Sequence, residues 1–268
     1  MPVKLFYRKY GEGPPLVILH GLYGSSDNWV TIARRLSESF TVFLPDQRNH
    51  GQSPHSDKHD YDSMSEDLFE LTEELKIKKF FLAGHSMGGK VAVNFAMKWP
   101  EKINSLVIID ISPFRSSDPE RKYYREHKQI LESLLSTNLS LVRSRADAEA
   151  ILSKSIESGK TRDFVLKNLQ RTGESTFVWK MNVKSLYENI EKIVDGLPRP
   201  GTDEEPVTGF PVTFIKGEDS EYLPYSEFVA VQKLFPVAEM ITVKNAGHWV
   251  HAERPDAIID ILLKQLKG

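Results

Sequence analysis

Cysteine is absent from the 268-residue chain. That removes disulfides, thiolate metal sites and a cysteine nucleophile together, and it fits a reducing compartment. A charge excess of one sign is also missing. Thirty-five basic residues stand against 37 acidic ones, for a formal net charge of -2. With no long single-sign block, no nucleic-acid partner is expected. No apolar run approaches the roughly 18 residues a membrane span requires, and the opening MPVKLFYRKYGEGPP lacks the apolar core of a secretory signal. Neither G-x-G-x-x-G nor H-E-x-x-H spacing occurs, so no nucleotide cofactor and no metal are expected. These absences predict a soluble, cytoplasmic globular protein without a membrane partner.

What is present is a strand–helix alternation. LVILHG (16–21), TVFLPD (41–46), KFFLAGH (79–85) and SLVIID (105–110) read as buried strands, short and bounded by turn residues. Between them DYDSMSEDLFELTEELK (60–76) places Met64, Leu68, Leu71 and Leu75 on one helical stripe. Such repetition predicts an α/β fold, a mostly parallel sheet flanked by helices. After Pro113 the pattern becomes helical only, until the Pro/Gly-rich acidic stretch GLPRPGTDEEPVTGFP (196–211). Strand-like VTFIKG (212–217), a helix near 225–235, strand-like MITVKNAG (240–247) and a last helix (255–267) resume the alternation. The expected organisation is a core of residues 1–113 and 206–268, with a helical cap and linker over 114–205 inserted after the strand ending at Asp110.

The sharpest local signal is Gly84-His85-Ser86-Met87-Gly88, a G-x-S-x-G between a predicted strand and a predicted helix. A serine on so tight a turn is exposed at the top of the sheet, and only small residues two positions either side avoid a clash. The Met87 N–H at the helix start points where an oxyanion would form. A second donor is expected from Leu22, in the glycine-rich HGLYG that follows the strand at 16–21.

In a triad of this chain order the acid and then the histidine follow the serine. NAGHWVHAERP supplies His248, directly after a strand and a glycine, and His251, for which packing or a surface role is expected. His20, His50 and His85 read as structural, and Asp46 in PDQRNHGQS as a residue that holds loop backbone. The acid is less direct. IKGEDSEYLPY (215–225) carries the end of an apolar strand, yet its third position after Gly217 is Ser220; Asp219 could come inward by a one-residue shift in the turn, while Glu218 and Glu221 read as a solvated face.

Together GHSMGG, HGLYGSSDNW, PDQRNHGQSPHS, IIDISP and NAGHWVHAERP resemble an α/β-hydrolase, closest to the YbfF-like small acyl esterases. The motifs fall in order over nearly the whole chain and thin out over 114–205. The resemblance implies an acid at the end of the strand after the nucleophile helix, which is Asp110, and a serine where most α/β-hydrolases carry the acid, which is Ser220. Asp110 also suits that role by position, since it ends a strand expected beside the nucleophile strand. Ser220 would then support the acid or the histidine, or form a turn; Asp219 is the alternative acid.

The expected function is a serine hydrolase of carboxylesterase type, cleaving small to medium acyl esters or thioesters through an acyl-enzyme on Ser86. Phe114, Tyr123, Tyr124, Phe177, Trp179 and Tyr187 are the cap residues considered for an acyl site, although packing accounts for most such side chains. Basic residues along 115–128 would favour a carboxylated or CoA-linked substrate if they faced the pocket. A C–C bond hydrolase or lyase would use the same three residues, and a non-catalytic ligand receptor would need none of them.

Overall fold

A computed structural model describes residues 1–115, 121–173, 176–201 and 205–266. Parts of the expected cap and linker (116–120, 174–175 and 202–204) and the end of the last expected helix at 267 therefore lie outside the described residues.

Seven strands form one sheet in the order β1-β3-β2-β4-β5-β8-β9. They are β1 Tyr7–Tyr10, β2 Pro15–Leu19, β3 Thr41–Pro45, β4 Phe80–His85, β5 Ile103–Ile109, β8 Val212–Gly217 and β9 Ala238–Val243. All neighbours are parallel except β1, which pairs antiparallel with β3 at the edge. The strand sequences are nearly continuous apolar runs because both faces are covered. In β5, Leu106 and Ile108 enter the cluster that holds Met64 and Leu68 of α2 (Tyr61–Glu74) and Phe95 of α3 (Met87–Lys98). Val107 and Ile109 enter the opposite cluster, with Ile32 of α1 (Val30–Leu36) and Ile258 of α10 (Pro255–Leu266). Asp60 caps α2, its side chain accepting the Ser63 N–H at 2.8 Å, as a residue at that position should.

Between β5 and β8 come α4 (Lys122–Ser136), α5 (Arg145–Leu152), α6 (Gly159–Leu166) and α7 (Val183–Asp195). The segment is not helical throughout. Leu169–Arg171 (β6) and Phe177–Trp179 (β7) make a small antiparallel pair. Three-residue strands leave no periodicity to read, which is why the sequence shows none. The two ends of the segment lie side by side: Arg115 N–H donates to Leu197 O at 2.8 Å, and Leu197 N–H donates to Pro113 O at 2.9 Å. After β8 follows α8 (Tyr225–Leu234), and α9 (Val250–Glu253) follows the loop after β9.

The order of parallel strands puts the C-terminal ends of β2, β4, β5 and β8 on one edge of the sheet, beside the loop after β9. In a sheet of this kind that edge is where ligands bind.

Candidate active site

Ser86 stands between β4 and α3 with φ 52° and ψ -120°, a backbone conformation that L side chains rarely take. The flanking glycines explain how the turn closes. A Cβ on Gly84 would run into the Gly88 carbonyl, and one on Gly88 would come within 2.5 Å of His20 O. Gly84→Ala is therefore expected to cost about 1–3 kcal/mol of stability, as overpacking does, and to lower turnover by shifting Ser86. A thermal melt paired with ester hydrolysis rates checks this; an unchanged melting temperature would count against it.

Asp110 follows β5 and is fully buried, also at positive φ (52°). Its N–H donates to Ile215 O at 2.7 Å, which anchors it across to β8. Oδ1 accepts the Gly217 N–H at 2.8 Å. Oδ2 accepts the Ser220 hydroxyl and, at 2.8 Å, His248 Nδ1. His248 Nε2 lies 3.0 Å from Ser86 Oγ. With the carboxylate on Nδ1, the imidazole carries its proton there and presents a lone pair to the serine hydroxyl.

The structure thus brings Ser86, His248 and Asp110 into one hydrogen-bonded line, with Ser220 behind the acid. Asp219 is not part of it. This residue is exposed, and its backbone N–H donates to Ala246 O at 2.9 Å. Glu218 is exposed as well and accepts the Asn245 N–H.

Leu22 and Met87 both border the cavity beside Ser86. Among the described residues neither N–H donates to another protein atom. The Leu22 turn is closed by the Gly24 N–H to Gly21 O bond at 3.0 Å, and Tyr23 within it has φ 62°. Three contacts hold that tyrosine. Its N–H donates to His50 Nε2 at 3.2 Å, its carbonyl accepts Asn168 Nδ2 at 2.8 Å, and its hydroxyl meets His127 Nδ1 at 3.2 Å.

Around the three residues stand His85, His251 and Asp46, which the sequence marks as structural, and Lys90, which it does not mark. His85 Nε2–H donates to His248 O at 2.8 Å and so pins the histidine loop. Burial pushes His85 well below its ordinary value, which keeps it neutral. His251 stacks on Trp29 at 4.6 Å between ring centroids and is buried, so it packs rather than facing solvent. Asp46 accepts the Ser26 and Gln52 N–H groups at 2.6 and 2.8 Å and organises its loop. Lys90, one turn after Ser86 on α3, gives Nζ to the carbonyls of Ile193 and Val194 at the end of α7, at 3.3 and 2.9 Å. Burial lowers its pKa to about 7.

A cavity of about 500 Å³ opens over Ser86. Ile111, Phe114, Ile193 and Val194 give it apolar walls, and Tyr123 and Tyr222 border it. Of the aromatic residues considered for an acyl site, Phe114 and Tyr123 line this cavity; Tyr124, Phe177, Trp179 and Tyr187 pack partly buried against the core. Lys122, within 115–128, also reaches the cavity, where it pairs with Glu221 at 2.8 Å. Among the described residues no group of three His, Asp or Glu side chains could hold a metal ion, and no helix is long and apolar enough to cross a membrane.

Comparison with known proteins agrees with this architecture. Residues 14–255 match the model of the alpha/beta hydrolase fold family. The chain is 35% identical over 271 residues to the sn-1-specific diacylglycerol lipase ABHD11 of Danio rerio, covering 99% of this chain and 83% of that one. It is 33% identical over 254 residues to esterase YbfF of Escherichia coli (strain K12), covering 94% and 92%. Among solved structures it superposes on a marine microorganism esterase with a TM-score of 0.91, at 41% identity and with 98% and 99% of the two chains covered.

Proposed function

The chain belongs to the α/β-hydrolase fold family, and on that premise we propose that it is a serine hydrolase of carboxylesterase type in which Ser86 carries the acyl group. The observation that supports this most is the hydrogen-bonded line from Ser86 Oγ, which borders the cavity, through His248 to buried Asp110, at 3.0 and 2.8 Å.

In this reading His248 Nε2 takes the Ser86 proton as Oγ attacks the substrate carbonyl. The Leu22 and Met87 N–H groups receive the oxyanion. The imidazolium returns its proton to the leaving alcohol or thiol, and a water activated by the same imidazole then resolves the acyl-enzyme. Asp110 holds the Nδ1 tautomer throughout and offsets the imidazolium charge. Residues 114–205 serve as the cap that roofs the cavity, and residues 1–113 and 206–268 as the core that carries the three groups. A cavity of about 500 Å³ with apolar walls at Ile111, Phe114, Ile193 and Val194 suits small to medium acyl chains, and thioesters would be accepted through the same acyl-enzyme.

The test is covalent. A fluorophosphonate ester should add one phosphonyl group per chain, located on Ser86 by peptide mass spectrometry. Hydrolysis of p-nitrophenyl butyrate should fall in step with labelling. Activity that survives complete labelling of Ser86 would rule the reading out.

A further inference from the structure

Tyr222 lies in the stretch that carries Ser220, and its ring lies almost flat on the catalytic base. The Tyr222 and His248 ring centroids are 3.7 Å apart and the planes differ by 20°. Tyr123 of α4 stacks on Tyr222 in turn, at 4.2 Å and 30°. The three rings form one pile that runs from the inserted segment to the imidazole.

The pile is fixed at the backbone. Tyr222 N–H donates to Ser220 Oγ at 3.2 Å, and Ser112 N–H donates to Tyr222 O at 2.8 Å. The residue that hydrogen-bonds to the acid thereby also seats the ring that covers the base. On its outer side the Lys122–Glu221 pair at 2.8 Å ties α4 to this turn. Burial holds the Tyr222 phenol neutral.

We propose that Tyr222 is a positioning residue that holds the His248 imidazole over Ser86 and favours its protonated form through the face of the ring. This rests on the hydrolase reading of Ser86, Asp110 and His248. The physical reason is that an aromatic face carries negative partial charge and attracts a cation laid on it, most strongly where water is excluded. During turnover the proton from Ser86 makes His248 a cation, so the attraction grows in the transition state, where it accelerates the reaction. The parallel stack also blocks rotation of the imidazole away from the serine.

The other groups near the imidazole are few. Asp110 faces Nδ1, Ser86 faces Nε2, and His85 lies 4.8 Å away between ring centroids. His127 and His251 are kept neutral by burial, at about 4 and about 3. Behind Tyr222 stand Tyr123 and Glu126.

The experiment compares wild type with Tyr222→Phe and Tyr222→Leu. His248 is titrated by ¹⁵N NMR, and kcat and KM for p-nitrophenyl butyrate are followed against pH. Loss of the ring face in Tyr222→Leu should lower the His248 titration midpoint by up to about one pH unit, move the acid limb of kcat/KM with it, and reduce kcat about 3- to 30-fold with KM changed less. Tyr222→Phe, which keeps the face, should stay near wild type in both. Tyr222→Met replaces the leucine variant if the latter does not fold. An unmoved His248 midpoint in the aliphatic variant, or a phenylalanine variant that behaves like it, would overturn the proposal. The NMR arm needs no substrate, so it judges the stack by itself. A wild type silent on esters, with His248 still shifted by Tyr222→Leu, would count against the hydrolase reading and not against the stack.

Discussion

Asp110→Asn is expected to lower kcat for ester hydrolysis by about 10⁴-fold with the fold intact. The reason lies in the three donors that surround the carboxylate. Oδ1 receives the Gly217 N–H, while Oδ2 receives the Ser220 hydroxyl and His248 Nδ1. An asparagine must keep its oxygen toward the fixed Gly217 amide, since a backbone donor cannot reverse. Its NH2 then takes the Oδ2 position and faces His248. The imidazole responds by turning Nδ1 into an acceptor, which moves its proton to Nε2, 3.0 Å from Ser86 Oγ. A base that already carries the proton at that nitrogen cannot take the one from the serine. The Ser220 hydroxyl can rotate to accept from the new amide, so little stability is lost and the failure is chemical. Ser220→Ala, which removes one of several donors to the acid, should reduce kcat far less. Asp219→Asn should be silent because that side chain is exposed. Steady-state rates for the three variants, each checked by circular dichroism, decide the matter. Collapse in Asp219→Asn with Asp110→Asn spared would transfer the acid to the turn after β8.

That contrast shows where reading the sequence alone reaches its limit. β2, β3, β4, β5 and β8 are legible because strands buried on both faces are written as unbroken runs such as LVIL and SLVII. β1 reads Tyr-Arg-Lys-Tyr, one antiparallel edge strand with a charged middle, and carries no such mark. The serine is legible because its turn imposes glycines at fixed offsets. The acid is not, since any carboxylate at the end of a neighbouring strand meets the local requirement; position and resemblance favour Asp110, but no local pattern excludes Asp219. Tyr222, His85 and Asn168 are further out of reach. Each acts on a partner brought near only by the fold: His85 on the carbonyl of His248, Asn168 on the carbonyl of Tyr23. Neither pairing has a fixed spacing, so no local pattern announces it.

Loss of stability in mild acid is the second large effect to expect, and buried histidines cause it. His20, His50, His59, His85 and His251 are all at most 5% exposed. Burial is the largest influence on each and lowers its pKa from the ordinary 6.5, to about 3 for His59 and His251. The half-buried His127 is lowered in the same sense. Two of these rings accept hydrogen bonds that a proton would destroy, His20 from the Gln47 N–H at 3.0 Å and His50 from the Tyr23 N–H at 3.2 Å. Among the described residues His59 Nε2 and His251 Nδ1 have no hydrogen-bond partner. Because the folded pKa values lie below the unfolded one, the unfolded chain binds more protons between them, and stability is fully present above 6.5 and lost as the pH falls beneath it. Each group that stays neutral in the folded chain while it is protonated in the unfolded one contributes about 1.4 kcal/mol per pH unit, so His59 and His251, lowered to about 3, together contribute roughly 3 kcal/mol per unit below 6.5, and the other three add in the same direction. A domain holds only about 5–15 kcal/mol in total, so stability should fall markedly by pH 5, before most carboxylates are protonated. Urea unfolding followed from about pH 7.5 to pH 5 should show the midpoint falling steeply, with a smaller slope in His251→Phe, which keeps the stack on Trp29 and removes one proton site. A midpoint that stays level across that range would show these histidines to be accommodated as cations, and the polar contacts that hold the Tyr23 turn and the His248 loop would then have to survive protonation.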